Sequence, residues 1–201
     1  MDSYSYLKVA IQEVRVDKEG YAIRERMLFI TEIGVQMKNQ YLFITIGAPG
    51  CGKTRFYHQI AEDGDWSMGD TPAYVSSDEV RILLLGSAEF QENPEMIFKV
   101  VRSTIETELD KGMSVYFDAT NTRKDWRRFA IDIAMAREIP VVALYFDVPF
   151  FILWRRNKKR HRTVPFNRMV WHFFHQELPT TTEGFDTIFR IDRNGQYIEM
   201  E

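Results

Sequence analysis

The feature that most restricts this chain is a short stretch of unusual backbone freedom set between two ordinary segments. Residues 41–46 read YLFITI, β-branched or aromatic in nearly every position; GAPGCGKT follows at 47–54, and then the helix-like run RFYHQI. The octet fits G-x-x-x-x-G-K-[ST] in full, and a strand before it with a helix after it is the context in which that spacing has a mechanism. Glycines admit dihedrals that turn successive N–H groups inward, and the helix adds its positive N-terminal end, so such a loop wraps a polyphosphate. On this reading Ala48, Pro49, Gly50, Cys51 and Gly52 belong to the cradle, Lys53 reaches the β- and γ-phosphates of a nucleoside triphosphate, and Thr54 ligates Mg²⁺. Kinases, GTPases, motors and ATPases share a loop of this kind, so the loop alone does not choose a reaction.

From Tyr41 onward, β-rich runs at 41–47, 73–77, 113–119, 141–148 and 185–191 alternate with helical ones. That alternation predicts βα units around a mostly parallel sheet. The spacing predicts a helix over 94–112, opened by Pro94, with Ile97, Val100, Val101, Ile105 and Leu109 on one stripe and Gly112 as its stop. A second helix over 124–140 turns Phe129, Ile133 and Ala136 inward and ends at Pro140. Residues 41–201 thus form one α/β domain, and residues 1–40 an N-terminal extension. Within the extension, Ile23, Met27, Ile30, Gly34 and Met37 predict a helix over 22–38, whereas Leu7, Val9 and Ile11 alternate as a strand does.

Three further stretches carry chemistry. VSSDEVR (75–81) places Asp78 just past a strand end, where the ligands of a parallel sheet lie. A carboxylate there suits a general base toward an acceptor hydroxyl, and Arg81, at i+3 on the same helical face, suits an anionic group on the acceptor. The same serines and aspartate also suit a helix cap. Asp118 ends the next β-run, a position that suits a magnesium ion or the acceptor, and equally a cap on the following turn. Residues 151–165, FILWRRNKKRHRTVP, have an apolar start, a cationic middle and a proline stop, which suits a lid over phosphates. A solvated positive surface is the other reading of such a run.

Composition narrows the setting. Cys51 is the single cysteine, which excludes a disulfide framework and a thiolate zinc cluster. Neither an apolar run of about 18 residues nor a signal-peptide pattern is present, so a cytoplasmic protein without a membrane partner is expected. The net charge of −3 gives no global nucleic-acid footprint, yet residues 155–168 hold seven Arg or Lys and no acid. The histidines of HFFH (172–175) sit among aromatics with no third ligand near in sequence, and EDGDWSMGD (62–70) reads as an acidic loop without calcium-site spacing.

Taken in order, GAPGCGKT, SSDEVR, FDATN, YFDVP, RRNKKR with TVP, and PTTTEGFD resemble the kinase domain of phage-type 5′-hydroxyl polynucleotide kinases and their bacterial relatives, over roughly residues 41–192. The resemblance implies a three-layer P-loop kinase fold with a central parallel sheet and a helical lid, and transfer of the γ-phosphate of ATP to a 5′-hydroxyl of DNA or RNA. It implies Lys53 and Thr54 as phosphate and magnesium residues, Asp78 as general base, Arg81 on the acceptor's neighbouring phosphate, Arg160 as the lid arginine acting on the transition state, and Arg156 near the nucleotide base. The D-x-D-x-T motif of the bifunctional members' phosphatase domain is not in this sequence. Gluconate-type, antibiotic-modifying and toxin-type kinases share these parts, and a nucleotide-binding ATPase module is the reading from a different class.

Overall fold

The computed structural model describes residues 13–16, 22–26, 40–63, 71–88, 93–160 and 163–200. Strands β3 (Leu42–Ile46), β4 (Ala73–Ser76), β5 (Val115–Asp118), β6 (Val141–Phe146), β7 (Thr187–Ile191) and β8 (Tyr197–Glu199) form one sheet in the order β4-β5-β3-β6-β7-β8. All neighbouring pairs are parallel except β7 with β8. The interposed helices are α1 (Lys53–Asp63), α2 (Ser77–Leu85), α3 (Pro94–Asp110), α4 (Lys124–Met135), α5 (Phe150–Lys158) and α6 (Phe166–Phe174).

Strand periodicity divides the core in two. Leu42, Ile44 and Ile46 of β3 and Val141, Ala143 and Tyr145 of β6 pack with α3 and α4, while Phe43, Val142, Leu144 and Phe146 pack with Phe56 of α1, Leu153 of α5 and Met169 of α6. Helices therefore cover both faces of the sheet, giving the three α/β layers expected of a P-loop kinase fold. On α3 the stripe Ile97, Val101, Ile105 and Leu109 is buried, each side chain contributing about 1.5–3 kcal/mol. Gly112, at φ +84°, lies just past the helix end.

Three details depart from the expectations. Residues 22–26 are not helical: Ala22–Arg26 is strand β2, paired antiparallel with β1 (Glu13–Val16) in the register Glu13↔Arg26, Val14↔Glu25. Pairing with a neighbouring segment satisfies that backbone, which a spacing count over one segment cannot foresee. Residues 27–38, like the alternating Leu7, Val9 and Ile11, lie outside the described residues. Ala136 is exposed rather than inward, because the chain leaves α4 at Met135 through i→i−3 hydrogen bonds from Arg137 and Glu138 that turn it off the apolar stripe. Strand β8, absent from the expected set, follows the turn at Asn194-Gly195, where Asp192 accepts from the backbone of Asn194 (2.7 Å) and Gln196 (2.9 Å). Residues 64–70 of the acidic loop lie outside the described residues.

Within RRNKKR (155–160), the single neutral residue ties down the segment that follows. Asn157, which is buried, donates to the Val164 carbonyl (2.8 Å) and accepts from the Val164 N–H (2.9 Å), clasping the connection from α5 to α6. Among the described residues no helix is long and apolar enough to cross a membrane.

Candidate active site

The site grows from the end of β3. Gly52 holds φ +115°, a conformation costly for any side-chain-bearing residue, and Gly47 has no room for a Cβ, which would stand 2.7 Å from Cys51 Sγ and 3.0 Å from Phe146 Cβ. Cys51 is therefore a buried spacer inside the loop. Lys53 Nζ folds back onto the loop, donating to the Gly47 carbonyl at 2.9 Å and standing 3.5 Å from Cys51 Sγ. Tyr116 donates to the Lys53 carbonyl at 2.9 Å, seating the first turn of α1 on the sheet.

Register brings the remaining strand ends to the same level. Ser76 of β4 is paired with Asp118 of β5, so α2, which starts at once after β4, stands beside Asp118. Asp118 is buried and its Oδ2 accepts from the Thr54 hydroxyl at 2.6 Å and the Tyr74 hydroxyl at 2.7 Å. Burial, reinforced by the Asp118 charge, raises the Tyr74 phenol well above its ordinary range, so it stays a donor. With its hydroxyl hydrogen directed at Asp118, the Thr54 oxygen keeps lone pairs for a cation, and this hard oxygen set fits Mg²⁺. Among the described residues no cluster of three or more His, Cys, Asp or Glu is arranged to cage a metal, so such an ion there draws its other ligands from phosphate and water.

The helix cap and the candidate base turn out to be different residues. Ser76 Oγ accepts from the backbone N–H of Asp78 (3.2 Å) and Glu79 (3.4 Å), leaving capping to the serine. Asp78 Oδ1 accepts instead from Arg81 at 3.2 Å, and Arg81, 12% exposed, is also tied to the Ser77 carbonyl at 3.1 Å.

One cavity of about 1160 Å³ is lined by Pro49, Gly50, Gly52, Lys53 and Thr54 of the loop and also by Asp78, Arg81, Asp118, Arg156 and Arg160. Ala48 and Cys51 do not line it; Ala48 borders a smaller cavity beside Phe146. From the basic run Arg156 donates to the carbonyls of Cys51 (2.9 Å) and Arg193 (2.7 Å), bracing the loop against the β7–β8 turn. Lys158 lies over the Trp154 ring at 3.8 Å instead.

Several lining or supporting groups had been given no role from the sequence. Asn121, at φ +45°, donates to the Thr45 carbonyl at 3.0 Å. Arg127 is fully buried, paired with Glu183 through bonds of 2.7 and 2.8 Å and donating to the carbonyls of Asn121 and Glu177, each at 3.1 Å. Burial raises the Glu183 pKa, but its hydrogen bonds and the Arg127 charge outweigh that and leave it lowered. The S/T-x-x-E spacing of Thr180 and Glu183, inside PTTTEGFD, forms a capping box here. His172 lines the cavity and shares a 3.2 Å hydrogen bond with Thr122; burial, then the charges of Lys53 and Arg168, lower its pKa from 6.5 to about 4. His175 contacts the Trp171 carbonyl at 2.9 Å and stacks on the Trp171 ring.

Comparison with known proteins places this geometry in a family. A chain of the Pnkp1/Rnl/Hen1 RNA repair complex superposes with a TM-score of 0.57 at 23% identity, covering 81% of this chain and 49% of that one. Kti12 from Chaetomium thermophilum in complex with ADP-AlF3 gives 0.57 at 17% identity, covering 75% and 88%. A sugar kinase from Janibacter gives 0.53 at 17% identity, covering 77% and 86%. At these identities the likeness is one of fold, and the chain spans about half the length of the RNA repair protein. No curated protein sequence matches it. The family model described as an AAA domain matches residues 42–176, from β3 to just beyond α6, and by that match the chain belongs to the AAA domain family.

Proposed function

We propose that this chain is an ATP-dependent kinase that moves the γ-phosphate of ATP onto the 5′-hydroxyl of a polynucleotide. The observation that carries the reading is the Asp78–Arg81 pair, joined at 3.2 Å, in the same cavity as Lys53 and Thr54. Asp78 takes the proton of the acceptor hydroxyl as its oxygen attacks phosphorus; the bond to the β-phosphate oxygen breaks, leaving ADP and a 5′-phosphate. Arg81 holds a neighbouring phosphate of the acceptor with the donors that Asp78 and Ser77 leave over. Lys53 exchanges its loop carbonyls for the triphosphate, and Arg160 meets the charge that develops on the transferring group. Thr54 and, behind it, Asp118 hold Mg²⁺, which when bound neutralises phosphate charge. Arg156 keeps the loop and the lid in register.

The test is an acceptor panel with γ-labelled ATP: 5′-hydroxyl DNA and RNA strands, nucleosides and gluconate-type sugars, with ADP followed in parallel. Label on the strands in step with ADP is the expected result. Label on sugars or nucleosides alone identifies a small-molecule kinase, and ADP with free phosphate but no labelled acceptor identifies an ATPase module.

A further inference from the structure

The cavity has an aromatic wall that the phosphotransfer chemistry does not use. Trp126, in the first turn of α4, lines it together with Arg81 and Arg168. Its indole lies nearly parallel to that of Trp171 on α6, with centroids 5.6 Å apart and planes at 27°, and Trp171 in turn lies on the His175 imidazole at 4.9 Å and 11°. His172 sets its ring across both indoles, at 68° and 86°, and is anchored by Thr122. The ladder is thus braced from the side and from behind, so presenting it to a ligand costs little further ordering entropy.

Trp126 and Trp171 remain 40% and 37% exposed. A rigid aromatic plane open to a charged cavity takes any planar π-face without demanding a hydrogen-bond pattern, which is how single strands are held. Arg168 stands one helical turn before Trp171 and has no ion-pair partner among the described residues, so a cation lies ready for the backbone that accompanies a stacked base. The cavity's 1160 Å³ exceeds the roughly 300–1,000 Å³ of a pocket for one drug-sized ligand, which leaves space for a nucleotide and an acceptor end together.

We propose that Trp126, backed by Trp171 and His175, stacks the terminal nucleobase of a single-stranded 5′-hydroxyl acceptor while Arg168 takes a backbone phosphate of the same strand. The proposal rests on the kinase reading above and names its substrate as a strand with an unpaired terminal base rather than a free sugar.

The test uses the full chain with short 5′-hydroxyl DNA and RNA single strands, in parallel series with a normal and an abasic terminal nucleotide. Binding without ATP is read by tryptophan quenching and by anisotropy of a 3′-labelled strand, and KM is read with ATP present. Trp126→Ala is expected to raise Kd and KM by about 5- to 100-fold, the scale of losing one base–aromatic stack. Trp126→Phe restores most of the loss, which separates stacking from misfolding, and the penalty of Trp126→Ala shrinks sharply on the abasic strands. Stronger quenching by one strand type identifies DNA or RNA as the acceptor and supports the platform in either case. Phosphorylation of normal strands with the same KM by wild type and Trp126→Ala overturns the platform and leaves the kinase reading standing. Failure of every strand both to bind and to be labelled overturns the two together.

Discussion

Thr54 and Asp118 are 64 residues apart in the chain and 2.6 Å apart in space, joined hydroxyl to carboxylate at the point where α1 meets the end of β5. The same carboxylate oxygen holds the Tyr74 hydroxyl at 2.7 Å, so one buried acid organises two donors from two other elements. Asp118→Ala leaves both hydroxyls without their acceptor and is expected to cost about 1–3 kcal/mol in denaturant unfolding. Asp118→Asn keeps the shape and loses the charge, so its main effect should be on Mg²⁺-dependent turnover. Equal stability of the Ala variant and wild type would rule out the organising role.

Separation of cap from base makes Ser76 and Asp78 distinguishable by experiment. Ser76→Ala should lower stability by about 1 kcal/mol through the two N–H groups it caps. Asp78→Asn should leave stability and ATP affinity near wild type while lowering turnover about 10²- to 10⁴-fold. Full phosphotransfer by Asp78→Asn, measured at saturating acceptor, would remove Asp78 from the chemistry.

Folding is expected to become pH-dependent through His172. The folded state resists protonation of this imidazole until about pH 4, against 6.5 for an unperturbed histidine. Between those values the unfolded chain binds the extra proton, so stability is fully present above about pH 6.5, declines as pH falls, and receives no further slope from this group below about pH 4. His172→Gln should flatten that part of the profile. Denaturation midpoints of the two proteins across this window give the comparison, and parallel curves would contradict the assignment.

Arg127 and Glu183 form the most buried ion pair among the described residues. Arg127 is wholly buried and Glu183 is 10% exposed. Glu183→Gln strands a guanidinium in the interior and is expected to cost about 3–5 kcal/mol. Arg127→Met, which removes the charge as well, leaves Glu183 and the carbonyls of Asn121, Glu177 and Leu178 short of donors but spares the buried cation. Unfolding of both variants in urea tests the ranking; a Glu183→Gln protein as stable as wild type would mean that the pair contributes little.

Much of the fold and the loop of the candidate site was legible because each depends on local spacing. The strand before GAPGCGKT, the glycines that curve it, the α3 stripe and the strand-end positions of Asp78 and Asp118 all follow from backbone preferences within about twenty residues. Tertiary structure decided what those positions meet. The register Ser76↔Asp118 makes neighbours of two strand ends that the chain keeps far apart, and only then does Tyr74 acquire Asp118 as its partner. Arg127 reads as one more surface cation of α4 until the turn at Thr180–Glu183 closes over it. Trp126 and Trp171 lie on helices separated by β6 and α5, and no periodicity along either helix announces that their rings stack. Residues 22–26 show the converse, with a helical spacing overruled by a strand partner. Backbone torsions answer to nearest neighbours and so can be read along the chain, whereas hydrogen-bond partners, ring contacts and buried charges answer to distance in space, which only the packed sheet and helices set.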